Sequence, residues 1–258
     1  MQTADVILAN EPAVRVPIQV IDATFGTVPS SCTGAETGPT CASVTANGTF
    51  FSSDGSTTVG VAVPTSAQVQ NPVAALPVDN NGLIVVLPGV PGDGAPAVEG
   101  AVVLGIGTRS NNIPGPATAI ALDGSGDFTT TLAGGSPLHG SFVDTGSNGL
   151  FFSPPSNVPA CTDHPDWFCP PATLSFSATN TPTPGFPGSA ATASFQIANF
   201  DALVVQPNNA NSVFAQIGGG ALPQAGFDWG LPFFLGRTVY LGLQGRRSSL
   251  GGGPLLAY

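Results

Sequence analysis

Apolar positions along the chain fall in short strand-length runs, and several alternate with the two-residue period of a strand. Val14-Arg15-Val16-Pro17-Ile18-Gln19-Val20 alternates in this way and predicts a strand. Leu83–Leu87 is a compact apolar run behind the turn signal Asp79-Asn80-Asn81-Gly82. Residues 101–106 predict a buried strand. Residues 117–122 and 127–132 predict a hairpin around Asp123-Gly124-Ser125-Gly126. Ser141–Asp144 predicts a strand that ends on an acid. Leu174, Phe176 and Ala178 alternate, as do Ala193, Phe195 and Ile197. Residues 202–205, 237–243 and 255–258 complete the set of strands. Only Ser66–Ala75 has the pattern of a short helix, and Pro72 limits it. The sum predicts an all-β protein with turns at short intervals.

Composition narrows what such a chain can do. Its 258 residues suffice for one large β domain or two smaller lobes. Gly 34 and Pro 26 would suit a disordered chain, but 42% hydrophobic residues can build a core. Charged residues are only 8%, the net charge is −10, and all five basic residues are arginines. A chain this acidic is not a nucleic-acid binder, because phosphate contact needs clustered Lys and Arg. No apolar run approaches the ~20 residues of a membrane-spanning helix.

The four cysteines form two close pairs, Cys32 with Cys41 and Cys161 with Cys169, neither with zinc or redox spacing. Two local disulfides are the expected use, with free thiols as the alternative, and disulfides place the protein outside the cytosol. The expected location is therefore exported: periplasmic, cell-surface or secreted. Met1-Gln2-Thr3-Ala4-Asp5 is not a signal peptide, so the expectation is that the natural start lies upstream.

The most informative tetrapeptide is Asp144-Thr145-Gly146-Ser147, between Phe142-Val143 and Leu150-Phe151-Phe152. Burying a carboxylate between apolar runs is costly unless hydrogen bonds hold it. A strand ending in this motif delivers the acid into a cleft. Gly146 permits a tight turn, and the Thr145 and Ser147 hydroxyls are expected to hold loop and charge. The structural alternative is an Asx-type turn with Asp144 bonding its own backbone amides.

Further along, Asp228-Trp229-Gly230-Leu231-Pro232-Phe233-Phe234-Leu235-Gly236-Arg237-Thr238-Val239-Tyr240 resembles the segment near the end of pepsin-like aspartic peptidases. The resemblance covers residues 97–258, with both motifs in the family's order. It implies a pepsin-like acid-protease β-barrel in which the Gly230 segment crosses beside the Asp144 loop. Residues 1–92 then resemble a partial N-terminal lobe, and residues 93–258 a complete C-terminal lobe carrying Asp-Thr-Gly-Ser. Residues 88–96 (PGVPGDGAP) form the connection. Within the first part, Ala4–Leu8 resembles the strand after the flap. Ala46-Asn47-Gly48 resembles the first lobe's glycine element, although Thr49-Phe50-Phe51 departs from the usual continuation. The whole chain is most similar to an uncharacterised family of exported bacterial pepsin-like proteins, a domain of unknown function. The similarity lies at Asn81-Gly82, at residues 105–112, at residues 144–152 and at residues 227–240.

What the resemblance implies for chemistry is one half of a carboxylate dyad. Asp144, Thr145, Gly146 and Ser147 are the implied catalytic loop, and a polypeptide is the implied substrate. Two carboxylates sharing one proton divide the acid and base roles between them. The partner aspartate and the flap tyrosine would precede Met1, so the chain as given is expected not to hydrolyse peptides. A homodimer pairing two Asp144 residues is disfavoured because residues 1–90 obstruct a simple two-fold. The alternative reading is an exported, non-catalytic binding or surface protein on the same scaffold.

Other candidates lead to no chemistry. His139 and His164 lack the three or four convergent ligands of a metal site, and are expected at the surface. Asp123, Ser125 and Asp127 alternate like a calcium loop, but Phe128 stands where that loop needs glycine. Gly105-Ile106-Gly107 lacks the third glycine of a dinucleotide site, and no serine-hydrolase elbow occurs. Asn47-Gly48-Thr49 has the pattern of a glycosylation sequon, with a turn as its ordinary use. Trp167, Phe168, Trp229, Phe233 and Phe234 are expected in the core. No cofactor or metal is expected.

Overall fold

The architecture is taken from a computed structural model, which describes residues 2–18, 51–53, 58–60, 71–207, 209–220 and 226–258. Eighteen strands are described. The first four are β1 (Gln2–Val6), β2 (Val14–Ile18), β3 (Phe51–Ser53) and β4 (Thr58–Gly60). Then come β5 (Gly82–Leu87), β6 (Ala101–Leu104), β7 (Ala119–Ala121), β8 (Phe128–Leu132) and β9 (Pro137–Val143). After these follow β10 (Leu150–Phe152), β11 (Leu174–Pro182), β12 (Ala191–Ile197), β13 (Gly218–Gly220) and β14 (Asp228–Trp229). The last are β15 (Arg237–Gly242), β16 (Arg247–Ser248), β17 (Gly251–Gly252) and β18 (Leu255–Ala257). With 40% strand against 6% helix, the protein is all-β.

Two sheets carry the fold. A seven-stranded sheet has the order β12-β11-β8-β9-β14-β10-β13, and a five-stranded sheet the order β6-β5-β15-β18-β7. Their inner faces share one core, and together they form a nearly closed barrel-like sheet. Phe128, Phe152, Phe227 and Trp229 come from the first sheet, and Ile120, Val239 and Leu256 from the second; all seven are fully buried. Alternation explains the split: in β12, Ala191, Ala193 and Ile197 point inward, while Thr192, Ser194 and Gln196 stay exposed. The β5 strand, which precedes residue 92, is hydrogen-bonded to β6 and β15, which follow it.

Three expected elements take a different form. Residues 119–121 and 128–132 do not pair as a hairpin. The Asp123 turn is present, with the Asp123 carboxylate accepting from the Ser125 and Asp127 amides at 2.9 and 3.0 Å. Beyond it the strands part: β7 joins β18 in one sheet, and β8 joins β9 and β11 in the other. Residues 202–205 are not a strand either; Phe200–Leu203 is one helical turn. The Asn199 side chain caps it by accepting from Ala202 N–H at 2.9 Å, and Phe200 is buried against Trp167. Of the expected helix at 66–75, Pro72–Ala75 is a 3-10 turn, and residues 66–70 lie outside the described residues. Cys161 and Cys169 form the expected disulfide. Cys32, Cys41 and the Ala46-Asn47-Gly48 element lie outside the described residues.

A buried polar network locks one end of the five-stranded sheet. The Asn81 side chain accepts from Ile106 N–H at 2.8 Å and donates to Ile106 C=O at 3.0 Å, pinning the 105–112 loop to β5. Asn112, 1% exposed, accepts from the amides of Thr108 and Arg109 and donates to Leu104 C=O. Asp79, 2% exposed, accepts from the Thr108 hydroxyl and from Arg109 Nε. Arg109 also reaches Glu11 at 3.1 Å, which ties the β1–β2 hairpin to the barrel. Burial alone would raise the Asp79 pKa, but the Thr108 and Arg109 hydrogen bonds more than offset it and hold the group below its ordinary value.

The sign of the resulting pH dependence follows. A carboxyl whose pKa is depressed by folding contributes stability above its unfolded pKa, and that stability is lost as pH falls through the lower folded value. Asp79→Asn is expected to cost about 2 kcal/mol at pH 7, the scale of a hydrogen-bonded charge. The difference between wild type and variant should shrink below about pH 4. Urea midpoints measured from pH 2.5 to 7 test this; a gap that widens on acidification contradicts it.

Candidate functional site

Three strands meet at the Asp144 turn. β14 lies between β9, to which it runs parallel, and β10, to which it runs antiparallel. Asp144 N–H donates to Trp229 C=O at 3.1 Å, and Leu231 N–H to Ser147 C=O at 2.7 Å. The 228–231 segment therefore threads directly beside the acid-bearing loop. Gly230 makes the crossing possible: a Cβ there would stand 2.1 Å from Gly149 C=O and 2.6 Å from Ser147 C=O. The threading strand is anchored from the core side. Trp229 stacks on Phe227 at 4.0 Å between centroids, and its Nε1–H donates to Thr130 Oγ1 at 3.0 Å. Thr130 in turn donates to Asn180, and Asn180 to the Tyr258 hydroxyl, so the buried polar atoms are paired across the core.

The acid itself is half-buried at the end of β9. Asp144 Oδ1 accepts from Gly146 N–H at 2.7 Å, which is an Asx-type turn. Asp144 Oδ2 lies 3.1 Å from the Ser147 hydroxyl. Thr145 departs from expectation: it is exposed, and its hydroxyl makes no hydrogen bond among the described residues. Thr145 follows the strand end at a point where the chain turns outward, so its side chain is left in solvent.

Sequence reasoning missed one residue here. Alternation along residues 227–229 turns Phe227 and Trp229 into the core and turns Asp228 the other way, toward the Asp144 loop. Asp228 Oδ2 lies 2.6 Å from the same Ser147 hydroxyl, so a single oxygen touches both acids. Asp228 is 6% exposed, and its Oδ1 is buried with no hydrogen-bond partner. Burial pushes its pKa up to about 6, against the Ser147 hydrogen bond and with a smaller push from the Asp144 charge. The signal was present in the sequence: an acid between Phe227 and Trp229 stands where an apolar residue would ordinarily continue the strand.

The other singled-out residues lie apart from this corner. His139 Nδ1 is 3.1 Å from the Thr129 hydroxyl, and His164 Nδ1 is 2.7 Å from Asp201, both outside the Asp144 contacts. Asp123 and Asp127 belong to the turn between β7 and β8, where burial and the Asp123 charge raise the Asp127 pKa. Trp229, Phe233 and Phe234 are core residues. A separate groove of about 700 Å³ runs along β11 and β12, lined by Phe176, Phe195, Gln196, Gln216 and Arg237 among others. Arg237 donates to the carbonyls of Phe233 and Ser194 and lies 5.0 Å over the Phe233 ring.

Fold and site together define an all-β protein with one half-exposed carboxylate on a glycine-dependent strand crossing, and a second acid buried behind it. Residues 34–258 match the family described as "Protein of unknown function (DUF3443)", and the chain belongs to that family. No curated protein matches it. No described helix is long and apolar enough to cross a membrane.

Two predictions follow from the geometry. Gly230→Ala should destabilise the protein by about 3 kcal/mol, the upper range for overpacking against fixed backbone. Thermal denaturation reads this out, and a loss under 1 kcal/mol contradicts the close crossing. For Asp228 the folded pKa is raised, so the native state binds more protons than the unfolded chain between about pH 4 and pH 6. Stability should therefore fall across that window as pH rises. Asp228→Asn should remove the slope, matching wild type near pH 4 and exceeding it at pH 8 by on the order of 2 kcal/mol. Denaturant midpoints at the two pH values check it.

Proposed function

We propose that this chain is an aspartic-peptidase-like protein on a pepsin-like scaffold, with Asp144 as one half of a carboxylate dyad. As given, the chain does not hydrolyse peptides by itself. The observation that carries the reading is the hydrogen-bonded crossing of residues 142–147 with residues 228–231, tightened at Gly230. This is the arrangement the resemblance to pepsin-like peptidases implies for an acid-bearing loop. In support, Asp144 is half-exposed, with its carboxylate oriented by Gly146 N–H and Ser147 Oγ. Residues 1–92 stand in this reading as a partial N-terminal lobe and residues 93–258 as the C-terminal lobe. The Cys161–Cys169 disulfide supports an exported location.

Asp228 does not supply the missing half. In a dyad both carboxylates must reach one water: one removes its proton while the other polarises the substrate carbonyl. Asp228 Oδ1 is sealed from solvent, and Oδ2 faces the Ser147 hydroxyl, so neither oxygen is free for that water. The second carboxylate has to come from outside the described residues. With it supplied, the chemistry is acid-pH hydrolysis of a polypeptide, with Asp144, Gly146 and Ser147 holding the reacting side.

A second reading is favoured by the β11–β12 groove: an exported binding protein that uses the scaffold without chemistry. Stacked Phe176 and Phe195 offer an apolar floor there, and Gln196, Gln216 and Arg237 line it with polar side chains.

The experiment is incubation of the purified chain with unfolded polypeptide between pH 2.5 and 6.5, beside Asp144→Asn. The expected result is no cleavage above background in either sample. Cleavage by wild type that Asp144→Asn abolishes overturns the non-hydrolytic reading. An upstream coding sequence that carries a second Asp-Thr-Gly-Ser or Asp-Thr-Gly-Thr supports the dyad, and one that lacks it favours the binding reading.

A further inference from the structure

We propose that the Ser147 hydroxyl relays the protonation state of buried Asp228 to Asp144, which makes Asp228 a positioning residue for the presented acid. The inference rests on the reading of Asp144 as that acid, and deepens it.

Ser147 Oγ has one proton to donate and stands within hydrogen-bond distance of two carboxyl groups, 3.1 Å from Asp144 Oδ2 and 2.6 Å from Asp228 Oδ2. When Asp228 is ionised, both neighbours are acceptors and only one can be served. The shorter contact takes the proton, because a 2.6 Å O–H···O⁻ bond is the stronger one. Asp144 Oδ2 then faces a lone pair and keeps only the Gly146 amide on its other oxygen. When Asp228 carries a proton, the chain acquires a direction. Asp228 Oδ2–H donates to Ser147 Oγ, and Ser147 Oγ–H donates to Asp144. Both carboxyl groups are then satisfied through a single hydroxyl, and each bond polarises the next.

The burial of Asp228 supports the neutral form as the resting partner in acid. Its Oδ1 has no donor, which costs far less for the carbonyl of a carboxylic acid than for half of a carboxylate. Around it, β10 contributes no ionisable group. The only ionisable side chain on β9 is His139, which contacts the Thr129 hydroxyl. The Leu231–Phe234 helix contributes none, and the turn at 144–147 contributes Asp144. Among the described residues, Asp144 is therefore the single charge that Asp228 faces, and Ser147 is the hydroxyl between them. Burial sets the point at which the relay reverses near pH 6. Acid conditions would thus both orient Ser147 and hold Asp144 in one geometry, while neutral pH would release it.

The test is a carbon-13 NMR titration of the aspartate carboxyl groups from pH 3 to 8, with the two resonances assigned by Asp144→Asn and Asp228→Asn. In the wild type, the Asp228 resonance is expected to titrate between pH 5 and 7, with the Asp144 resonance shifting in step. Asp228→Asn should remove that step. Ser147→Ala should keep an Asp228 titration, moved to higher pH by loss of the hydroxyl, and cut the accompanying Asp144 shift to less than half, and Ser147→Thr, which keeps the hydroxyl, should restore it. The wild-type titration alone can overturn the proposal. It does so if Asp144 stays still while Asp228 ionises, or if Asp228 does not titrate in that range. An undiminished Asp144 shift in Ser147→Ala also overturns it, because the coupling then passes through space. None of these readouts involves hydrolysis, so failure of the dyad reading shows separately in the cleavage assay.

Discussion

One close approach of backbone to backbone organises this molecule. The 228–231 segment enters between β9 and β10 and exchanges hydrogen bonds with the loop that follows β9. Nothing larger than glycine fits at position 230, because two carbonyl oxygens occupy the space a side chain would need. The crossing places the end of β9 at the surface, where Asp144 emerges half-exposed, and forces the alternate face of β14 toward the loop. That second effect sets an acid, Asp228, in a dry place. The stacked Phe227 and Trp229 hold the segment against the core, and so the site's electrostatics depend on aromatic packing on the opposite face of a two-residue strand.

A chain with 8% charged residues has few groups with which to build specificity, and it concentrates them. Asp79, Arg109 and Glu11 join in one network that also recruits Thr108 and is braced by Asn112 and Asn81. The network fixes a loop whose backbone would otherwise lack partners at the end of a sheet, and it links the β1–β2 hairpin to the barrel. Its carboxylate is held below its ordinary pKa, whereas the carboxylate beside Ser147 is pushed above it. The contrast has one physical source: Asp79 receives donors, including an arginine, and Asp228 receives a single hydroxyl shared with another acid.

Much of this was legible in the order of residues. Alternation located β2, β11 and β12, and short apolar runs located β5, β6, β9, β15 and β18, to within a few residues. The Asp144 motif announced a strand end with a polar turn, and the turn is there, built on the Gly146 amide and the Ser147 hydroxyl. The failures share a cause. Residues 119–121 and 128–132 were expected to pair with each other because they are neighbours in sequence, but each pairs with strands far along the chain. Residues 202–205 were expected as a strand, but the chain there is leaving the helical turn Phe200–Leu203, which Asn199 caps and Trp167 covers at Phe200. Of the two hydroxyls beside Asp144, Ser147 reaches the carboxylate and Thr145 is exposed, and which one turns inward is set by the path of the loop.

The sequence by itself determined the class of the fold and the strand end that carries Asp144. Strand periodicity, glycine at the crossing and an aspartate after an apolar run are local properties that survive without knowledge of contacts. Only the tertiary structure decided that the Asp228 carboxylate faces Asp144, because a separation of 81 positions between Ser147 and Asp228 leaves no periodic trace of their meeting. A shared hydrogen bond is a property of distance and desolvation. Both arise when non-neighbouring strands close on one another and exclude water.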